Sequence, residues 1–231
     1  MPDLSRSPDD PARPASTGQQ VYEGLKERLL CHEFRMGHVL REDEVAAWFD
    51  ASRLPAREAL KRLEYEGLIE RSGRRYAVRH YDLEAVIVTY RMRAALEHLA
   101  VDLAMEAQDQ GRLPPAAFAP LAQMLEAQRA AVDTLPRAIF SRLDAEFHLG
   151  IAALAGGAAL LADLARLLDR IRLIRSDEIL VDSGPLAALE DHHRILAALE
   201  RGDGATAKAE LNYHYSTTVR LHQPGGRPSS V

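Results

Sequence analysis

Asp144, His148, His192 and His214 are the residues of this chain whose types and spacing could do chemistry together, by sharing one divalent metal ion. Asp144 and His148 are four apart, so on a helix they project from one face. His192 and His214 stand eleven residues before and after Asp203, which follows Gly202 in a turn between two helical segments. At about 1.5 Å per helical residue both lie roughly 16 Å from that turn, and the imidazoles face each other. Each also falls on an inward stripe, His192 with Leu189, Leu196 and Leu199, and His214 with Ala207, Leu211 and Leu221. His193 points about 100° away. With nine histidines in the chain, a single inward one is most simply a hydrogen-bonded core residue. A carboxylate with three imidazoles is another matter, because burying so many polar groups without a shared partner is costly. The donor set suits Zn, Ni, Mn or Fe and does not choose among them.

A second constellation is cationic. Ser52 can cap a short helix over residues 52–67 in which Ala56, Ala59, Leu60 and Leu63 form an apolar stripe, leaving Arg53, Arg57, Lys61 and Arg62 outside it or along its edge. Arg53 and Arg57 are one turn apart near the N-terminal end, the end a recognition helix offers to base edges, and guanidinium can grip a guanine bidentately. Residues 52–80 hold eight Lys or Arg against four Asp or Glu, whereas the chain as a whole carries a net charge of -5. The plainer alternative is a solvated basic face.

These groups need elements to position them. Val21, Leu25 and Leu29 predict a first helix ending near His32. A second runs over about 41–49, with Val45, Ala46, Trp48 and Phe49 as its buried side, and a tight link at Asp50-Ala51 leads to Ser52. That is the spacing of a helix-turn-helix. Gly67 ends the basic helix. Leu68-Ile69-Glu70 and Tyr76-Ala77-Val78 then read as a hairpin around Gly73, a wing. From Asp82 onward the strand signals disappear, and capping residues and prolines open helices over about 82–105, 115–134, 136–155, 158–180, 185–201 and 203–221. The expected fold is mainly α: an N-terminal winged helix-turn-helix over 19–80 and a C-terminal antiparallel all-α bundle of six or seven helices over 81–222. A disordered arm over 1–18 and a disordered tail over 223–231 flank them.

Composition sets limits on function. A chain of 231 residues accommodates two modules, and its acidic balance argues against diffuse nucleic-acid binding, so any DNA contact must be local. Cys31 is the only cysteine, which fits a reducing cytoplasm. The longest apolar stretch, 151–165, is broken by Gly156, Gly157 and Asp163 and is too short to span a bilayer, so no membrane partner is expected.

Residues 21–78 resemble the winged helix of the GntR family of bacterial transcription regulators, whose signature reads close to SRxPxREALxxLExEGL where this chain has SRLPAREALKRLEYEGLI. The resemblance implies base and phosphate contacts from Arg53 and Arg57, a backbone contact from Ser52, a minor-groove contact from the wing at Gly73 and Arg74, and a phosphate contact from Arg41. DAEFHLGI, residues 144–151, resembles the DxxFHxxI motif of the FCD domain found in the FadR subfamily. HHRILAALERGD followed by His214 resembles that domain's C-terminal pattern. By this resemblance Asp144, His148, His192 and His214 are metal ligands beside which a small carboxylate effector binds. Gly156-Gly157 stands where relatives often carry Asn. Arg93 matches an arginine that could hold the effector carboxylate; an exposed ion pair with Glu97, four residues on, is the alternative role. Arg172 and Arg175 are further effector candidates.

The implied protein is a ligand-responsive regulator, a repressor more often than an activator in such families, that binds an inverted-repeat double-stranded operator as a homodimer. A metal-dependent enzyme is the competing class. The chain has no HExxH motif, and Glu146, between Asp144 and His148, lies on the wrong side of the helix to serve them as a base. A purely structural metal is the third possibility.

Overall fold

The computed structural model describes residues 17–132, 137–175, 180–182, 184–221 and 229–230. Helix α1 (Gly18–Leu30) opens on a reciprocal cap, in which the Gln20 N–H donates to Thr17 Oγ1 at 3.3 Å and the Thr17 N–H donates to Gln20 Oε1 at 2.7 Å. The last two residues assigned to the arm are therefore a cap and a helix start, while 1–16 lie outside the described residues.

Helices α2 (Glu42–Trp48) and α3 (Arg53–Glu66) follow, and α3 lays Ala56, Ala59, Leu60 and Leu63 against Val21, Leu25 and Leu29 of α1 in one buried cluster. Burying a Leu side chain in this way contributes about 1.5–3 kcal/mol. Two expectations are corrected here. Trp48 is 38% exposed, because α2 ends on it and its ring stacks on Phe34 at the surface, 5.4 Å between centroids, with the Arg28 guanidinium over its face. Ser52 holds the cap position in extended backbone, but its hydroxyl makes no capping hydrogen bond.

The end of α3 is sharply defined. Gly67 has φ +82, which lets the Leu68 N–H reach the Leu63 carbonyl at 3.0 Å. A Cβ there would lie 2.8 Å from Arg170 Nε, so any other residue would strain the backbone and displace the Arg170 side chain. The wing is β2 (Ile69–Ser72) and β3 (Arg75–Val78), paired antiparallel with Arg71 opposite Tyr76 and Gly73 (φ +64) in the turn. A third strand, β1 (Val39–Leu40), pairs with β3 to give the order β1-β3-β2. Two residues are too few to show a period, which is why the sequence reading passed over it.

The bundle consists of α4 (Leu83–Asp109), α5 (Ala119–Ala131) entered through a 3-10 turn at Pro115–Phe118, α6 (Arg137–Leu154), α7 (Ala158–Ile174), α8 (Pro185–Glu200) and α9 (Gly204–Thr218). Asp82 caps α4 by accepting from the Ala85 N–H at 2.8 Å. Asp203 does the same for α9 through Thr206 at 2.9 Å. Helix α4 runs four residues past the expected Met105, since nothing in Glu106-Ala107-Gln108-Asp109 stops a helix and the first break is Gly111, at φ +68. Conversely, α9 ends at Thr218, before the expected Leu221. Strands β4 (Leu180–Asp182), β5 (Val219–Leu221) and β6 (Ser229–Ser230) form a small antiparallel sheet that the sequence reading did not foresee. Leu221 is thus a strand residue and no part of the His214 stripe. Ser229 and Ser230, assigned to a disordered tail, pair with β5, and 222–228 lie outside the described residues.

Candidate metal centre and nucleic-acid interface

Five helices of the bundle, together with Arg175 just past the end of α7, contribute to one buried polar cluster. Helix α6 supplies Asp144 and His148, α8 supplies His192 and α9 supplies His214; all four are buried, and one ligand atom from each lies within 4.8 Å of the others. The ring centroids of His148, His192 and His214 are 4.8–5.2 Å apart. The exposed His193 turns away and gives Nδ1 to its own helix at the Leu189 carbonyl, as its register requires.

Behind each of the three rings stands a group that orients it. His148 Nδ1 stands 2.7 Å from Glu97 Oε2 on α4, His192 Nδ1 stands 2.8 Å from Gln128 Oε1 on α5, and His214 Nδ1 stands 3.2 Å from Asp191 Oδ2 on α8. Glu97 is held ionised: burial pushes its carboxyl up, but Arg93 and His148 outweigh that and bring it well below the usual range. Gln128 is oriented by its amide N–H, which donates to the Leu143 carbonyl at 2.9 Å. Each Nδ1 therefore faces an acceptor and carries the proton, leaving Nε2 with a lone pair toward the cluster. His148 Nε2 is buried and makes no hydrogen bond; Asp144 Oδ1 and His192 Nε2 face each other at 3.4 Å without forming one. Burial, reinforced by Arg93, lowers His148 from 6.5 to about 4. Burial and the neighbouring imidazoles lower His214 to about 3, so both rings are neutral at pH 7. Burial would raise the Asp144 carboxyl, yet Arg175, 3.1 Å from its Oδ2, and the histidines keep it well below the ordinary value. One carboxylate and three oriented imidazoles converging on one point fit a divalent transition metal on the chemistry of the donors alone.

Arg93 is fully buried beside this cluster. Its ion pair with Glu97, read from sequence as exposed, has both side chains at 0% exposure and Nε 2.6 Å from Glu97 Oε1. The guanidinium carbon lies 4.9 Å from the Tyr215 ring, and Tyr215 donates its hydroxyl to Glu97 Oε2 at 2.8 Å. Arg93 Nη1 and Nη2 are buried and make no hydrogen bond. Of the two further arginine candidates, Arg175 reaches Asp144, whereas Arg172 belongs to the contact with the winged module, where its carbonyl meets His32 Nε2 at 3.0 Å. Glu97, Gln128, Asp191 and Tyr215 were missed as site residues. Asp191 adjoins His192 and Glu97 is one turn from Arg93, so both carried a signal; a lone glutamine on α5 carried none.

On the winged module, Arg53 is exposed and makes no ion pair among the described residues. Arg57 is also exposed but is clasped by Glu42, with Nε 3.1 Å from both carboxylate oxygens and Nη2 2.9 Å from Oε2. Arg41 is held in the same way by Asp43 and reaches Glu44 at 3.8 Å. Ser52, Gly73 and Arg74 are exposed, and Leu54, 63% exposed, stands beside Arg53. The acidic run before the basic helix therefore competes for its cations. Glu42→Gln should free Arg57 and remove a negative charge beside the basic helix, tightening binding to any duplex by a factor of about two to five, the range of a half-exposed pair. A salt titration of fluorescently labelled DNA would register it as an increase at low ionic strength that shrinks as salt is added.

An outward basic helix on a winged module, joined to a helical body built around buried metal-type donors, defines a two-domain DNA-binding regulator. Residues 17–77 match the model of the bacterial regulatory proteins of the gntR family, residues 88–217 match that of the FCD domain, and the chain belongs to this family of transcription regulators. It is 25% identical over 208 residues to the HTH-type transcriptional repressor RspR of Escherichia coli (strain K12), covering 89% of this chain and 87% of that protein. It is 26% identical over 198 residues to the uncharacterized HTH-type transcriptional regulator YdhC of Bacillus subtilis (strain 168), covering 85% and 87%. The solved structure of E. coli McbR/YncC superposes with a TM-score of 0.72 at 24% identity over 86% of this chain and 93% of that one, a likeness of fold. Family and relatives alike are regulators rather than enzymes. Among the described residues no helix is long and apolar enough to cross a membrane.

Proposed function

We propose that this regulator is a repressor that binds an inverted-repeat operator as a homodimer and responds to a small carboxylic acid bound in its helical body. In this reading residues 19–80 form the operator-binding module, with Arg53 and Arg57 at base edges and phosphates, Ser52 and Arg41 at the backbone, and Gly73 with Arg74 in the minor groove. Residues 81–222 form the effector module, in which Asp144, His148, His192 and His214 would hold a divalent metal. Acting on operator DNA, the protein works in the cytoplasm.

The observation that carries the effector reading is Arg93. A buried guanidinium with one edge on Glu97 and both terminal nitrogens unsatisfied is costly as it stands, and a carboxylate is the ligand whose two oxygens match it. A bound metal would supply a second positive centre for the same acid. An effector alters operator binding only by preferring one arrangement of the two modules, with coupling of about 1–3 kcal/mol in typical cases. Supporting the dimer is a stripe on α4, where Val88, Met92 and Leu99 are 46–48% exposed beside a crevice of about 500 Å³ lined by Tyr65, Leu96 and Leu167. A two-fold copy covering that stripe would present paired recognition helices.

Elemental analysis of the purified protein, followed by thermal melting with small hydroxy-, keto- and dicarboxylic acids, tests the proposal. About one transition metal per chain and a rise in melting temperature with one class of acid, lost in Arg93→Met, are expected. Melting that responds to chelator but to no acid would assign the metal a structural role alone.

A further inference from the structure

Helix α7 touches both modules through polar side chains that neither the donor cluster nor the DNA surface requires. Lys26 on α1 reaches Asp169 on α7 at 2.6 Å and Glu66 at the end of α3 at 3.2 Å; Glu66 also accepts from Tyr22 at 2.8 Å. Arg170 gives its Nε–H to the Glu66 carbonyl at 2.7 Å, and His32 meets the Arg172 carbonyl at 3.0 Å. Lys26, Asp169 and Glu66 have side chains only 23%, 17% and 9% exposed, so water does not dissipate these contacts as it would at an open surface. Gly67 has no side chain and Arg170 fills the space where one would be, which seats the end of the recognition helix directly on α7. The same helix leads to Arg175, five residues beyond Arg170 and about 7.5 Å further along the axis, which holds Asp144 Oδ2.

We infer that Lys26, Asp169 and Arg170 are positioning residues through which α7 ties the seat of the recognition helix to the donor cluster, so that loading Asp144 with a cation changes how firmly α3 is held. The inference rests on the regulator reading for its purpose and on these contacts for its mechanism. Asp144 divides its charge between the cluster, through Oδ1, and Arg175, through Oδ2. With a cation held at Oδ1, less of the Asp144 charge would be left for Arg175, and the end of α7 would be held less firmly. The contact falls at the C-terminal end of α3, whereas Arg53 is at the other end of this 14-residue helix, about 20 Å away, and Arg57 is about 14 Å away. A 5° tilt at the seat therefore moves Arg53 by roughly 1.7 Å and Arg57 by roughly 1.2 Å over those lengths, enough to lose a bidentate base contact.

The test uses the full chain with Zn(II) or chelator, and reads amide hydrogen exchange over residues 53–67 without DNA, alongside operator retention. The native protein should show exchange in α3 that differs several-fold between the two conditions. Arg170→Met, which keeps the bulk beside Gly67 but loses the N–H, should shrink the difference at least threefold while binding the same amount of Zn(II). Lys26→Met, made from the winged side, should do the same, so that misfolding of one variant does not decide the matter. Equal responses in native and variant proteins, or no response of α3 to Zn(II), would overturn the inference. A native protein that retains no DNA selectively, yet shows the variant-sensitive exchange, would uphold the latch and sink the regulator reading.

Discussion

If the four donors hold a metal as proposed, His192→Ala should strip it from the helical body and leave the winged module folded. The ring of His192 is stacked on Phe147, 4.4 Å between centroids, and its Nδ1 faces the only oxygen that Gln128 turns toward it. Removing the ring takes away one of four donors and orphans a buried amide oxygen, at a cost of about 1–3 kcal/mol in the apo protein. Loss of an oriented second group alone typically weakens metal binding 10–100-fold, and loss of a ligand should exceed that. Dialysed protein should therefore contain close to no metal, and His214→Ala should match it. His193→Ala, one residue away but exposed, should keep the full complement. Near-native circular dichroism and retained DNA binding would show that the winged module survives. If His193→Ala lost the metal while His192→Ala kept it, the assignment of ligands on α8 would be wrong.

Arg53→Ala and Arg57→Ala should each weaken operator binding by about 1–3 kcal/mol, five- to 150-fold, without affecting metal content. The two need not behave alike. Arg53 is exposed and unencumbered, whereas Arg57 must first leave Glu42, so part of its contact energy replaces an existing pair. Arg57→Ala should accordingly cost less than Arg53→Ala, and adding Glu42→Gln should narrow the gap. A contact to phosphate lowers the salt slope by about one and weakens all sequences alike, while a contact to a base relaxes preference at one operator position. Fluorescence anisotropy with point-substituted operators separates the two.

These expectations came largely from residue spacing, and the structure shows where spacing suffices. The positions of Asp144 and His148 on one helix, and of His192 and His214 at equal heights on a hairpin, follow from helical rise, and the four donors do converge. Capping also read through: Asp82, Asp203 and Gly67 act where they were expected to. The failures have physical causes. Ser52 occupies a cap position, yet the choice of hydrogen bond depends on rotamer and solvent, which sequence does not encode. Trp48 falls on the side of its helix expected to be buried, but a stack with Phe34 and Arg28 satisfies it at the surface. Gln128 and the Lys26–Asp169 contact involve residues far apart in the chain with no local pattern. Sequence finds what one element arranges on its own face and misses what two elements arrange between them.

The measurement that bears most directly on the account is retention of DNA fragments from the region upstream of the protein's own gene, at moderate salt and with excess nonspecific competitor. One fragment carrying an inverted repeat should be retained, a small carboxylic acid should alter its retention, and Arg53→Ala should release it. Equal retention of all fragments, or of none, with and without metal and acids, would contradict the regulator reading.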